Sequence, residues 1–231
     1  MSAYGLVFAA LAALAVATGA LAREWVLRAG AAAVALSFLV VAVAYSGAGP
    51  RLLFKSPTGR RFVWAWGVHW PFFVFTAFAY HLSRLLTREA AHVRVAPNVF
   101  LGRRLSAREA RHASAEGWLA VLDLAAELPE APPLRTVTHY RSLPVLDATA
   151  MSLQELRAAV EWVTRHAASG PVYVHCALGH GRSAVVVAAY LIATGQAPDA
   201  PAALKHLRER RPGVRLHRSQ RRVLDQFAGE G

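Results

Sequence analysis

The chain has 231 residues, is 55% hydrophobic and carries a formal net charge of +12. Its one cysteine excludes an intramolecular disulfide and a cysteine-rich zinc site. No basic block alternates with aromatics and no zinc-finger spacing is present, so the charge points to no nucleic acid; an anionic membrane surface or a phosphorylated substrate accounts for it as well.

Charge divides the chain in two. Residues 1–86 hold only one of the 14 acidic residues, Glu24, and three uncharged apolar runs at 1–22, 29–50 and 62–83. Each reaches the roughly 20 apolar residues that a bilayer crossing needs. The first two read as membrane spans. The third is crowded with aromatics such as Trp64, Trp66, Trp70 and Tyr80 and interrupted by His69 and Pro71, so it either spans or lies in the interface as an anchor. Arg51, Lys55, Arg60 and Arg61 stand between the second and third runs. Positive residues favour the cytoplasmic side, and both readings of the third run put the C-terminal part there, the interfacial one more cleanly. The expected organisation is a multi-pass membrane region at 1–86 and a cytoplasmic catalytic domain at 87–231. Ala20-Leu21-Ala22 resembles a signal-peptidase site, but no Lys or Arg precedes it, so the first run reads as retained.

Residues 87–231 alternate strand and helix signals. Strands are expected at Asn98–Leu101, Trp118–Leu124 and Thr136–Val145, with a short helix Ser106–Ala115 between the first two. Ser152 opens a helix to about Ala168, and Glu155 three residues on completes a capping box. Val172–His175 is a short β-branched strand after Gly170-Pro171. Helices follow from Arg182 to about Thr194, from an Asp199 cap with Pro201 in the first turn to Arg210, and over Arg218–Phe227. This alternation predicts an α/β domain with a mostly parallel sheet flanked by helices.

The stretch VHCALGHGRSA, Val174–Ala184, places the lone cysteine between a strand and a helix. Gly179 and Gly181 let the chain curl so that successive N–H groups form an anion-binding nest, and the helix N-terminus adds positive potential. A thiol there has a depressed pKa and is a nucleophile. Arg182 can grip two phosphate oxygens as a planar fork. Attack of Cys176 on phosphorus requires a general acid for the leaving alkoxide, and Asp147, on a loop at a strand's C-terminal end, is the candidate. Asp123, mid-strand, reads as structural. A thiolate without a second cysteine is open to reversible oxidation to a sulfenic acid or sulfenamide.

His-Cys-five residues-Arg-Ser resembles the signature of the cysteine-based protein tyrosine phosphatase superfamily, and its dual-specificity branch in particular. PNVFLGRRLS at 97–106 resembles the opening strand of that branch, LPVLD its acid loop, and RERRPGVRLHRSQRRVLDQF at 208–227 its closing helices. The resemblance covers about 92–228. It implies a dual-specificity phosphatase-like fold, Cys176 as nucleophile, Arg182 as phosphate clamp, Asp147 as general acid and then base, Ser183 steadying the thiolate, and His175 hydrogen-bonding the loop and helping to set the thiol pKa. The backbone of Ala177, Leu178, Gly179, His180, Gly181 and Arg182 would bind the phosphate, with no metal and no cofactor required. Phosphoinositide 3-phosphatases of the superfamily carry lysines inside this loop, where this chain has Ala177 and His180, which speaks against that specificity. The His180 side chain either faces solvent or adds charge toward an acidic headgroup.

The expected activity is hydrolysis of phosphate monoesters through a cysteinyl-phosphate, with a tyrosine or dual-specificity protein phosphatase placed first and a phospholipid-headgroup phosphatase as the alternative. A non-catalytic phospho-binding module and a rhodanese-type sulfurtransferase explain less, because neither uses Asp147. Expected partners are a phosphorylated protein or phospholipid substrate and membrane lipids, anionic ones included.

Overall fold

A computed structural model of the chain describes residues 2–113 and 117–230. The two N-terminal runs form helices α1 (Ala3–Leu21) and α2 (Trp25–Val43). Ser2 caps α1 by accepting from the Gly5 N–H at 3.0 Å and donates to Tyr45 O at 3.0 Å. The two helices turn back on each other, with Gly19 so near that a Cβ there would lie 2.9 Å from the Ala31 Cβ. Small residues permit such close approach between apolar helices. Their outer faces expose Leu6, Val7, Leu14, Val16, Leu27 and Leu39, the reverse of a water-facing helix. Among the described residues, α1 and the stretch Trp25–Ala48 are the two segments long and apolar enough to cross a membrane, and only 22% and 28% of their apolar windows are buried.

α2 runs on into a π-helical turn, Ala44–Ala48, and a 3-10 turn, Pro50–Leu53. A tight linker follows. Ser56 N–H donates to Arg60 O at 2.7 Å, Lys55 and Arg61 pair as an isolated bridge, and Gly59 turns the chain with a φ of +72°. A Cβ on Gly59 would also lie 2.2 Å from the Tyr140 hydroxyl, so the linker is seated directly on the C-terminal domain.

The third run is one helix, α3 (Ala65–Leu86), which keeps Pro71 inside it. Its N-terminal side is held by the linker. Its C-terminal part is held where the Tyr80 hydroxyl donates to Arg104 O at 2.5 Å and Arg84 pairs with Glu109 at 2.8 Å. A helix of 22 residues is about 33 Å long, enough to cross a bilayer core. Since both of its ends touch the same domain, α3 lies along that domain instead of crossing away from it.

The C-terminal domain is built on five strands: β1 (His92–Ala96), β2 (Val99–Arg103), β3 (Ala120–Ala125), β4 (His139–Val145) and β5 (Val172–Cys176), in the order β1-β2-β5-β3-β4. Only β1 is antiparallel, pairing with β2. Every residue of β3 and β5 is buried, as expected of central strands covered on both faces. One face carries α5 (Leu153–Ala167), α6 (Arg182–Ala193), α7 (Ala200–Arg210) and α8 (Arg218–Gly229) around a core that includes Leu122, Val174, Leu156 and Val186. The other carries α4 (Ala107–Ala113) and a 3-10 turn at Pro132–Thr136 over Val121 and Tyr173. The end of the helix expected at Ser106–Ala115 lies outside the described residues. The capping box of α5 forms, Asp199 accepts from Ala202 N–H at 2.7 Å to cap α7, and the short edge strand β1 has no counterpart in the sequence reading.

The two regions share a core. Phe8, Val41, Leu53, Phe72 and Phe73 from the N-terminal helices and linker cluster with Ala126 and Leu146, which follow β3 and β4. That cluster brings the N-terminal helices to the C-terminal ends of the parallel strands, where ligand sites of open α/β sheets form.

Candidate active site

The chain leaves β5 at Cys176, curls through 177–181 and enters α6 at Arg182. Gly179 has a φ of +77°, and a Cβ on it would sit 2.4 Å from Gly102 O, so only glycine fits this turn. The loop's carbonyls are engaged on its outer side. Ala177 O accepts from Arg104 N–H at 3.1 Å, Leu178 O from Arg211 Nη2 at 2.8 Å, Gly179 O from Arg211 Nε at 3.1 Å, and His180 O from Arg215 N–H at 3.1 Å. This outward turn leaves the N–H edge to line the cup. Among these N–H groups, that of Gly179 donates to Cys176 Sγ at 3.3 Å, and the Ser183 hydroxyl donates to the same sulfur at 3.3 Å.

Burial pushes the Cys176 thiol up, but the Arg182 guanidinium and the hydrogen bonds from Ser183 and Gly179 bring it below its ordinary value. Behind it, His175 is fully buried and paired through Nε2 with Glu130 Oε2 at 2.5 Å. Burial lowers the His175 pKa and Glu130 more than offsets this, so the imidazole is held above its usual value.

Arg182 is 3% exposed. Nη1 donates to Glu127 Oε2 at 2.7 Å and to Val145 O at 2.9 Å, and Nη2 donates to Glu127 Oε1 at 2.7 Å. Asp147 Oδ1 lies 3.0 Å from Nη2. The buried Nε has no hydrogen-bond partner among the described residues. A buried guanidinium fixed on one side, with a donor left over on the other, suits a ligand oxygen.

All the residues singled out from the sequence gather here. The His180 side chain, partly exposed and lining the cavity, meets Glu89 Oε2 through Nε2 at 2.5 Å. Glu89 is held below the ordinary carboxylate range; burial opposes this, and the hydrogen bonds from His180 and Gly213 prevail. Glu127 and Glu130, missed in the sequence, are the carboxylates that hold Arg182 and His175. Glu127 in a short loop after a buried strand carries no local signal, and its role is visible only through its partner 55 residues on.

The cup opens into a cavity of about 440 Å³. Cys176, Arg182 and Asp147 border it. Tyr4 and Phe8 of α1, Tyr45 of the π-helical turn, and Phe72 and Phe75 of α3 also line it. Tyr45 stacks on Tyr4 and on Phe8, each with ring centroids 5.6 Å apart. An activated thiolate under N–H donors, with a guanidinium beside it and a carboxylate at the mouth, is equipped to attack a tetrahedral anionic centre.

Comparison with known proteins agrees with this chemistry. Residues 80 in number, 34% of the chain, are 41% identical to a phosphatidylglycerophosphate phosphatase, PTPMT2, of Arabidopsis thaliana; the match spans about a third of that relative, 35% of its length. Among solved structures, Tk-PTP in its active form is similar with a TM-score of 0.56 and 27% identity, over 61% of this chain and 98% of that one. PTPMT1 in complex with PI(5)P shares the fold, with a TM-score of 0.54 and 24% identity over 61% and 96% of the two chains. Residues 99–229 match the family described as dual specificity phosphatase, catalytic domain, from the strand that opens the parallel sheet to the end of α8. With more than half of its length matched, and the fold and the thiol loop in place, the chain belongs to the dual specificity phosphatase family.

Proposed function

We propose that the protein is a membrane-anchored phosphatase that removes the terminal phosphate from a phospholipid headgroup by way of a cysteinyl-phosphate. The observation that carries the lipid reading is the cavity wall. The cavity that Cys176 lines is also lined by Tyr4, Phe8, Tyr45, Phe72 and Phe75 from α1, the turn after α2 and α3, so a substrate whose phosphate reaches the thiolate also meets aromatic residues of the membrane region. Similarity to a relative named for a phosphatidylglycerophosphate substrate, and to one crystallised with PI(5)P, supports the same class. Protein substrates, placed first by the sequence, gain no support from such a wall.

In the proposed reaction the Cys176 thiolate attacks phosphorus and the bond to the headgroup oxygen breaks. The N–H groups of residues 177–182 and the Arg182 guanidinium hold the other phosphate oxygens. Asp147, at the cavity mouth beside Nη2, delivers a proton to the departing alkoxide. In the second step Asp147 accepts a proton from water as the water attacks phosphorus, and the thiolate leaves into the Ser183 hydrogen bond. α1 and α2 form the anchor, α3 rests at the interface, and the basic linker and the catalytic domain share the cytoplasmic side.

The test is phosphate release by the full chain in mixed micelles, comparing phosphatidylglycerophosphate and phosphoinositides with phosphotyrosine and phosphoserine peptides, and Cys176→Ser beside the parent. Release chiefly from a lipid, lost in Cys176→Ser, is expected. Release from peptides with none from lipid overturns the lipid reading, and no release from any substrate by folded protein overturns the catalytic one.

A further inference from the structure

The linker between α2 and α3 is clamped to β3 and the segment that follows it at three points. The Lys55 side chain is 1% exposed and reaches Asp123 Oδ2 and Ala125 O, each at 2.5 Å. Gly59 O accepts from the Glu130 N–H at 2.9 Å. Arg61 Nη2 donates to Glu127 O at 2.5 Å, and its guanidinium lies 3.3 Å over the Phe73 ring. The two glutamates touched in this way are those that hold His175 and Arg182. Asp123 pairs in register with His175 across β3 and β5.

Behind Cys176 the structure therefore holds a buried cluster of two acids, Asp123 and Glu130, and two bases, Lys55 and His175. The acceptor and donor atoms of Asp123, Glu130 and His175 lie within 4.8 Å of one another, a spacing that would also suit a metal ion, but the Lys55 ammonium already takes the cation position on Asp123. Burial opposes the charge on Asp123, and Lys55, with His175 and the Tyr140 hydroxyl at 2.7 Å, holds its carboxyl below the ordinary range. With His175 protonated the cluster is neutral. Without Lys55 it carries a net negative charge beneath the residue that must become a thiolate.

We propose that Lys55 is a positioning residue of the catalytic site, the point through which the membrane-region linker completes the charge balance behind Cys176 and so keeps the thiol reactive. This inference rests on the cysteine-phosphatase reading for its consequence, though not for its geometry. The other titratable and charged groups around Cys176 are Arg182 on α6, Arg211 beyond α7, Glu127 beyond β3 and Asp147 beyond β4, with His180, Arg215, His217, Tyr4, Tyr45 and Tyr80 lining the same cavity, and none of these is an ion-pair or hydrogen-bond partner of Lys55. Tyr140 and Tyr173 are the remaining titratable neighbours of the cluster; burial and nearby carboxylates hold both hydroxyls well above their usual values, so they stay neutral across the working range.

The experiment measures iodoacetamide alkylation of Cys176 against pH in the full chain in detergent, alongside turnover of a soluble aryl phosphate. As Cys176 is the only thiol, the alkylation profile reads it directly and needs no turnover. Lys55→Met is expected to move the alkylation midpoint, and the acid limb of kcat/KM, upward by about one pH unit. The double variant Lys55→Met/Asp123→Asn removes one charge of each sign and is expected to return the midpoint to that of the parent. A folded Lys55→Met protein with the parent profile overturns the proposal, as does a double variant displaced as far as the single one. If Lys55→Met does not fold, the double variant decides: a parent-like midpoint supports charge balance, and a displaced midpoint or failure to fold overturns it. A parent that alkylates with a low midpoint yet turns over no phosphate ester would count against the phosphatase reading alone.

Discussion

Glu127 meets Arg182 through two N–H···O bonds of 2.7 Å each, one from each Nη, and this fork fixes the guanidinium while the buried Nε is left without a partner among the described residues. The pair is almost fully buried, so removing one partner leaves the other charge unpaired. Glu127→Gln keeps the shape but weakens the fork. It is expected to lower kcat/KM toward any phosphate ester by about tenfold or more, with Glu127→Ala worse. Steady-state kinetics on a soluble aryl phosphate checks this, and parent-like values in Glu127→Ala would show that Arg182 holds its pose without the carboxylate.

Asp147 is half exposed at the cavity mouth and tied to Arg182 by a 3.0 Å contact. If it protonates the leaving group, its loss must matter most where the leaving group is a poor one. Asp147→Asn is expected to cost about 100-fold in kcat toward an alkyl phosphate and far less toward nitrophenyl phosphate. An equal loss on both substrates would assign Asp147 to binding.

Glu109 anchors the C-terminal end of α3 through Arg84 and also pairs with Arg103. Burial pushes its carboxyl up, but hydrogen bonds from Arg103 and Ser106 bring it from 4.5 down to about 2. A pKa depressed on folding stabilises the protein above the unfolded value, and that contribution fades as pH falls from about 4.5 toward 2. The site is partly exposed and screened, so the contribution is about 1 kcal/mol. Glu109→Gln is expected to lower Tm by about 2–4 °C at pH 7 and to lie close to the parent near pH 2.5. Thermal melts across that range test the sign; a gap that widens on acidification would refute it.

Cys176 is the only thiol in the chain. Peroxide should oxidise the thiolate to a sulfenic acid, itself reduced to water, and attack by a neighbouring backbone nitrogen with loss of water gives a sulfenamide. Loss of activity restored by dithiothreitol is expected, with a gain of about 16 Da, or a net loss of about 2 Da, at Cys176 in the mass spectrum. Inactivated protein with an unmodified Cys176 would exclude this route.

What could be read from the sequence was local. The nest at 177–181 follows from a strand, two glycines and a helix start within eleven residues, the α5 cap from Ser152 and Glu155, and the α7 cap from Asp199. The long-range partners were not legible. Lys55 and Asp123 stand 68 residues apart, and His180 and Glu89 stand 91 apart. Nothing in the composition near Lys55 distinguishes it from the other bases of a positive loop. Asp123 read as structural because it interrupts a buried strand, but burial of one charge says only that a partner exists, not which one. The third apolar run was ambiguous because an aromatic-rich helix that spans and one that lies in a bilayer interface share a composition; what the structure adds is that Lys55 and Arg84, on either side of the run, both pair with the C-terminal domain.

The docking of α3 and the linker at both ends has a kinetic consequence. A catalytic domain on a loose tether would swing through a volume and meet substrates by ordinary three-dimensional diffusion. With α1 and α2 inserted in a bilayer, as proposed above, the docked domain would hold the thiolate at a fixed height above that plane. Encounter with a lipid substrate would then be a search within a surface, and the rate would follow the mole fraction of substrate among neighbouring lipids, not its amount per volume of solution. Diluting that substrate with inert lipid should slow the enzyme even when every other concentration is unchanged.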